Sequence, residues 1–90
     1  RMHELSIALE VCRIAEERLG REGCAAVREV AVEVGDDAGV EPENLAFCLE
    51  AVLADPPFGR ARPVILRRPG DALHVAYLEV DDGGPDDRGP

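Results

Sequence analysis

Residues 32–52, VEVGDDAGVEPENLAFCLEAV, hold a change of period that sets the fold. The stretch opens on alternation. Val30, Val32 and Val34 fall on one side and Glu29 and Glu33 on the other, the pattern of a half-buried strand reaching back to Val27. GDDAG, residues 35–39, is a loop by composition. The period then becomes helical. Pro42 suits the first helical position, with Glu41 as an imperfect cap. Leu45, Cys48, Leu49 and Val52 form one apolar stripe, flanked by Phe47. ADPPFGRA, residues 54–61, ends the helix, because two prolines cannot continue it.

Upstream, residues 4–19 read as a first helix. Leu5, Ala8, Leu9, Cys12, Ala15 and Leu19 recur at three- and four-residue steps, and Gly20 and Gly23 bracket the stop. Glu4 in the first turn faces the positive end of the helix dipole. Downstream, residues 63–67 read as a short strand, RPGD (68–71) as a turn and residues 72–80 as the last strand. In that strand Leu73 and Val75 share one parity and Leu78 and Val80 the other. Either a bulge falls near Ala76 or both faces are partly buried. The acidic, Gly/Pro-rich residues 81–90 are expected to be disordered.

The predicted order is α-β-α-β-β, an α/β fold with two helices on one face of a small three-stranded mixed sheet. The β-α-β unit requires a right-handed crossover between two parallel strands. The last two strands are expected to form a hairpin, whose exposed edge could pair with a second chain to give a homodimer. Strand order is left open.

Ninety residues make one small domain, and with two Phe, one Tyr and no Trp its core must be Val, Leu, Ile and Ala. A net charge of −9 argues against nucleic-acid or anionic-membrane binding. No apolar run can span a bilayer and no signal segment is evident, so a cytoplasmic location is expected. Cys12, Cys24 and Cys48 are odd in number and contain no CxxC, so reduced thiols are expected. Cys12 and Cys48 lie on the apolar stripes as small hydrophobes, and Cys24 is expected to be an exposed thiol in a turn. The acidic pairs 16–17, 36–37 and 81–82 read as solvated surface, although Asp36 and Asp37 could lie near a cation or a partner's basic patch. No Ser-His-Asp set, phosphate-binding glycine motif or HExxH is present, and no enzyme is expected.

Three segments together resemble the HypA family, the nickel metallochaperones of nickel–iron hydrogenase maturation. MHELS (2–6) is similar to that family's opening motif, residues 32–52 to its strand, loop and helix, and LHVAYLEV (73–80) to its closing strand. The resemblance covers nearly all of residues 2–80 and makes residues 1–80 a nickel-binding domain. Members of the family normally insert a zinc module with two CxxC pairs between the last two strands. Here RRPGD (67–71) stands in that place, and no cysteine follows Cys48, so zinc is not expected.

By this resemblance the cargo is Ni(II), held by the His3 side chain with backbone nitrogens of Met2 and Glu4 and the His3 amide. Ni(II) favours square-planar nitrogen donors, and an amine, adjacent amides and one imidazole close fused chelate rings in one plane. An isolated histidine at a helix start is more often simply solvated, so the resemblance is what makes His3 a ligand. His74 has no sequence neighbour to join it and reads as structural or surface. Arg1 precedes the family's usual start and places histidine third, itself a strong chelating register for Ni(II) or Cu(II). The resemblance implies two partners, a HypB-type GTPase and the hydrogenase large subunit. It leaves open service to hydrogenase or urease. It also leaves open a metal-independent interaction or regulatory module of the same machinery.

Overall fold

The computed structural model describes residues 3–81. Two helices and three strands follow in the expected order: α1 (Glu4–Cys24), β1 (Val27–Gly35), α2 (Pro42–Leu53), β2 (Arg62–Arg68) and β3 (Leu73–Val80). Gly20, at φ 72° and ψ 168°, kinks α1 without ending it, and one more turn follows. That turn carries Cys24 into the core, where it is fully buried and not the exposed thiol expected from sequence. Of the tail from residue 81 on, Asp81 donates its N–H to the Ala26 carbonyl (2.8 Å), and the remainder lies outside the described residues.

The sheet order is β2-β1-β3, with β1 parallel to β2 and antiparallel to β3. The mixed sheet is as expected, but the hairpin is not: β2 and β3 flank β1 and do not pair with each other. The most apolar strand takes the middle, with Val30, Ala31, Val32 and Val34 all buried. The charged strands take the edges, where Arg62, Arg67, Arg68, His74 and Glu79 reach solvent. To cross from one edge to the other, the chain passes over the end of β1. Gly35 N–H donates to Ala72 O, Asp36 N–H to Arg68 O and Asp37 N–H to Gly70 O, each 2.7 Å. This crossing needs a glycine, since a Cβ on Gly35 would lie 2.2 Å from the Gly70 carbonyl oxygen.

The parity switch in β3 is a bulge. Tyr77 pairs with Ala31 and Val75 with Val32, so Ala76 is the extra residue. Leu73, Val75 and Leu78 therefore all pack against the core. There Val30, Val32 and Val34 meet Leu45, Leu49 and Leu53 of α2 and Ala8, Val11 and Ala15 of α1. The α1 stripe is rotated from the expected one. Val11 is buried, whereas Leu5 and Leu9 are 52% and 54% exposed. Small alanines at positions 8 and 15 let α1 lie close, and the anchoring of Glu4 described below fixes its rotation. Among the described residues no helix is long and apolar enough to cross a membrane.

Candidate metal centre

His3 is the N-cap residue of α1. Its backbone is extended (φ −89°, ψ 128°), its imidazole makes no capping hydrogen bond, and it is exposed. Its carbonyl accepts the N–H of Ile7 (3.2 Å), which opens the helical hydrogen-bond ladder. The amides of His3 and Glu4 precede that ladder, so metal ligation through them would leave it intact. Met2 and Arg1, and with them the third-position register, lie outside the described residues.

Glu4 turns inward. It is 8% exposed, and its carboxylate accepts hydrogen bonds from the Glu41 N–H and from Asn44 Nδ2, both 2.9 Å. Glu41, the N-cap of α2, makes no capping bond with its own side chain. The Glu4 carboxylate supplies negative charge at that helix start instead, where the α2 dipole favours it. The Glu4 side chain is thus a latch between two helix starts, whereas its backbone nitrogen is what the family resemblance offers to the metal.

A pocket of about 390 Å³ opens between α1 and β3, lined by His3, Ile7, Glu10, Leu73, His74 and Val75 among others. It brings the two histidines of the chain to one site. Sequence reading missed this, because nothing local to His74 signals a partner 71 positions away. His74 Nε2 also lies 3.6 Å from Glu33 Oε1. Among the described residues, no three or more His, Cys, Asp or Glu side chains are grouped to hold a metal ion.

The cysteines lie apart from His3 as free thiols, Cys12 and Cys48 half-buried and Cys24 buried. Burial, then the neighbouring Cys24 and Glu16, pushes the Cys12 thiol up to about 11. Burial likewise raises Cys24. Both are therefore poor thiolate donors near neutral pH. Asp36 and Asp37 are exposed in the β1–α2 loop, and Asp36 pairs with Arg67 of this same chain (2.9 Å).

Fold and site define a small α/β domain that presents an exposed, uncapped histidine at the start of its first helix. The sequence pattern described as "Hydrogenase/urease nickel incorporation, metallochaperone, hypA" matches residues 2–73, and the chain belongs to the HypA family. It is 38% identical over 79 residues to a hydrogenase maturation factor HypA of Albidiferax ferrireducens, spanning 88% of this chain and 70% of that protein. With the corresponding factor of Alkalilimnicola ehrlichii it shares 39% over 91 aligned positions, spanning 94% and 80%. With that of Chlorobaculum parvum it shares 42% over 64 residues, spanning 71% and 57%. The solution structure of the Ni metallochaperone HypA from Helicobacter pylori superposes with a TM-score of 0.62, covering 84% of this chain and 72% of that one. At 14% identity, this last likeness speaks for the fold.

Proposed function

We propose that this chain carries Ni(II) on its amino-terminal segment for delivery to a nickel enzyme under assembly, a nickel–iron hydrogenase in the first instance. One observation carries the reading: His3 is exposed and uncapped, while the adjacent Glu4 is locked to α2 by two hydrogen bonds. A metal bound through the His3 imidazole and the backbone nitrogens of Met2, His3 and Glu4 would sit on a solvent-facing segment with a fixed anchor beneath it. Such an arrangement lets a recipient reach the metal without unfolding the carrier. Ni(II) takes the neutral imidazole and displaces amide protons, so affinity falls as the solution is acidified.

The GTPase and the hydrogenase large subunit are the proposed donor and recipient of the metal. They are drawn from the family resemblance, supported by the curated relatives that are hydrogenase maturation factors. Titration of protein beginning at Met2 with Ni(II), against a His3→Ala variant, tests the reading. The variant is expected to lose at least tenfold in affinity, and equal affinity would remove His3 from the site.

A second reading, a docking module that works without metal, is favoured by the apolar pocket between α1 and β3. Pull-down of maturation partners with and without chelator separates the two. Capture that ignores both chelator and His3→Ala supports the second.

A further inference from the structure

The start of α1 carries the pattern of a hydrophobic staple, and we propose that the Met2 side chain docks into the apolar pocket between α1 and β3 and so holds the metal-ligating nitrogens in place. The positioning role rests on the nickel-carrying reading above, and the docking does not.

Met2 lies outside the described residues, but the residues after it set its frame. The Ile7 N–H donates to the His3 carbonyl at 3.2 Å, which makes His3 the N-cap and Ile7 the fourth helical residue. Met2 is therefore the residue just before the cap. In a staple, an apolar side chain there folds back onto the apolar side chain at the fourth position and fixes the angle at which the chain enters the helix. Met2 and Ile7 are both apolar. The His3 side chain makes no capping bond, and Ser6 stands where a capping box needs Glu or Gln, so the staple is the capping device left to this start.

The second helix of the same molecule shows the arrangement. Its N-cap Glu41 has nearly the backbone of His3, φ −85° and ψ 108° against −89° and 128°, and likewise no side-chain cap. Leu45 N–H donates to the Glu41 carbonyl at 2.9 Å, so Leu45 is fourth in α2 and Val40 precedes the cap. Leu45 is fully buried, and Val40 packs half-buried against the core cluster that contains it. With the same cap geometry, the chain before His3 turns the same way, toward Ile7.

Ile7 opens onto the space such a side chain needs. It is half-buried and lines the pocket of about 390 Å³ together with Val11, Leu73 and Val75, and the exposed His3 borders the same pocket. The Met2 Cα lies one peptide, about 3.8 Å, from that of His3, so its side chain reaches this pocket without unwinding the helix. An unbranched thioether adapts to an irregular apolar hollow. Glu4 is latched to α2, and Met2 seated against Ile7 gives the segment a second anchor, with His3 between the two. The nitrogens of Met2, His3 and Glu4 then meet the metal already arranged, which raises affinity by sparing the cost of ordering them.

Met2 is the only methionine of the chain, so isotope labelling of the methionine methyl in the full chain gives a single NMR signal at this site. With chelator present, nuclear Overhauser contacts are expected from that methyl to the methyls of Ile7, Leu73 or Val75. Their absence overturns the proposal and leaves the pocket to an apolar group from outside the chain. In the Ni(II) titration of protein beginning at residue 2, Met2→Ser is expected to weaken binding about fivefold and Met2→Leu to match the wild type. A Met2→Ser variant that binds as tightly as the wild type overturns the positioning role. So does a Met2→Leu variant as weak as Met2→Ser, because the thioether would then be a ligand itself. Methyl contacts present with His3→Ala unchanged in affinity would remove the nickel site and keep the docking. Contacts absent with affinity lost in His3→Ala would do the reverse.

Discussion

The Glu4 carboxylate accepts a 2.9 Å hydrogen bond from the backbone N–H of Glu41, 37 positions later in the chain. With Asn44 Nδ2 as its second donor, it ties the start of α1 to the start of α2. His3, one residue earlier, is held in place by that tie. Removing it in Glu4→Ala leaves the Glu41 N–H without its acceptor. The expected loss is about 2 kcal/mol of stability, since hydrogen bonds to a charged group contribute more than neutral ones. Glu4→Gln, which keeps one acceptor oxygen but turns an amide NH2 toward a donor, should cost about half that. Urea unfolding of the two variants checks the order, and equal losses would mean that the carboxylate's charge contributes nothing.

Gly35→Ala places a methyl group 2.2 Å from Gly70 O and 2.7 Å from Ala72 N, both backbone atoms. Neither can yield without breaking the bonds that hold the β2–β3 crossing over β1. A loss of about 3 kcal/mol is expected, at the upper end for overpacking. Thermal unfolding measures it, and a variant as stable as wild type would show that the crossing can move.

On the open face, the Tyr77 hydroxyl donates to Glu29, and Arg62 approaches the same carboxylate at 3.1 Å. The Tyr77 hydrogen bond first, then Arg62, holds Glu29 below the usual carboxylate range. The same hydrogen bond raises the Tyr77 phenol. A lowered carboxyl contributes stability that is present above its unfolded value and lost as pH falls through the folded one. A raised phenol contributes stability that is present below its unfolded value and lost as pH rises. Tyr77→Phe should therefore move the Glu29 titration upward, followed by NMR of its side-chain carboxyl, and remove the phenol's part of the alkaline loss. An unmoved Glu29 titration would mean that the hydroxyl does not bond to it in solution.

Cys12, raised to about 11 from an ordinary 9.0, resists ionisation while the protein is folded. Its contribution to stability is complete below the unfolded value and declines as pH climbs from about 9 toward 11. At pH 8 a thiol-specific disulfide reagent should label the buried Cys24 only on unfolding and the half-buried Cys12 more slowly than a free thiol, with mass spectrometry reading the sites. Rapid labelling of Cys24 in the folded protein would contradict its burial.

Much of this molecule is written in local pattern. The switch from period two to helical period across residues 32–52, Pro42 at the helix start and the double proline after it place β1 and α2 within a residue or so. These are properties of neighbouring side chains and of proline's missing N–H, so no tertiary information is needed. The change of parity in β3 is equally local, but it fits a bulge or two half-buried faces. Only the pairing of Val75 with Val32 and Tyr77 with Ala31 decided for the bulge at Ala76. The resemblance of MHELS to the HypA motif likewise singled out His3 from the sequence alone.

What the sequence left undecided depends on contacts between distant segments. Periodicity says that α1 has an apolar face but not which of two adjacent stripes is buried. The Glu4–Glu41 bond chose the stripe with Val11 and left Leu5 and Leu9 outside. Loop length made a β2–β3 hairpin the simple expectation. The central place went instead to the strand with the most apolar surface to bury, and Gly35 let the chain pass over it. His74 joined His3 at one pocket for the same reason, since antiparallel pairing with β1 carries the start of β3 to the start of α1. Local sequence determined the elements and the histidine at the chain's start. Burial and hydrogen bonding between remote segments decided how those elements are ordered, turned and brought to one site.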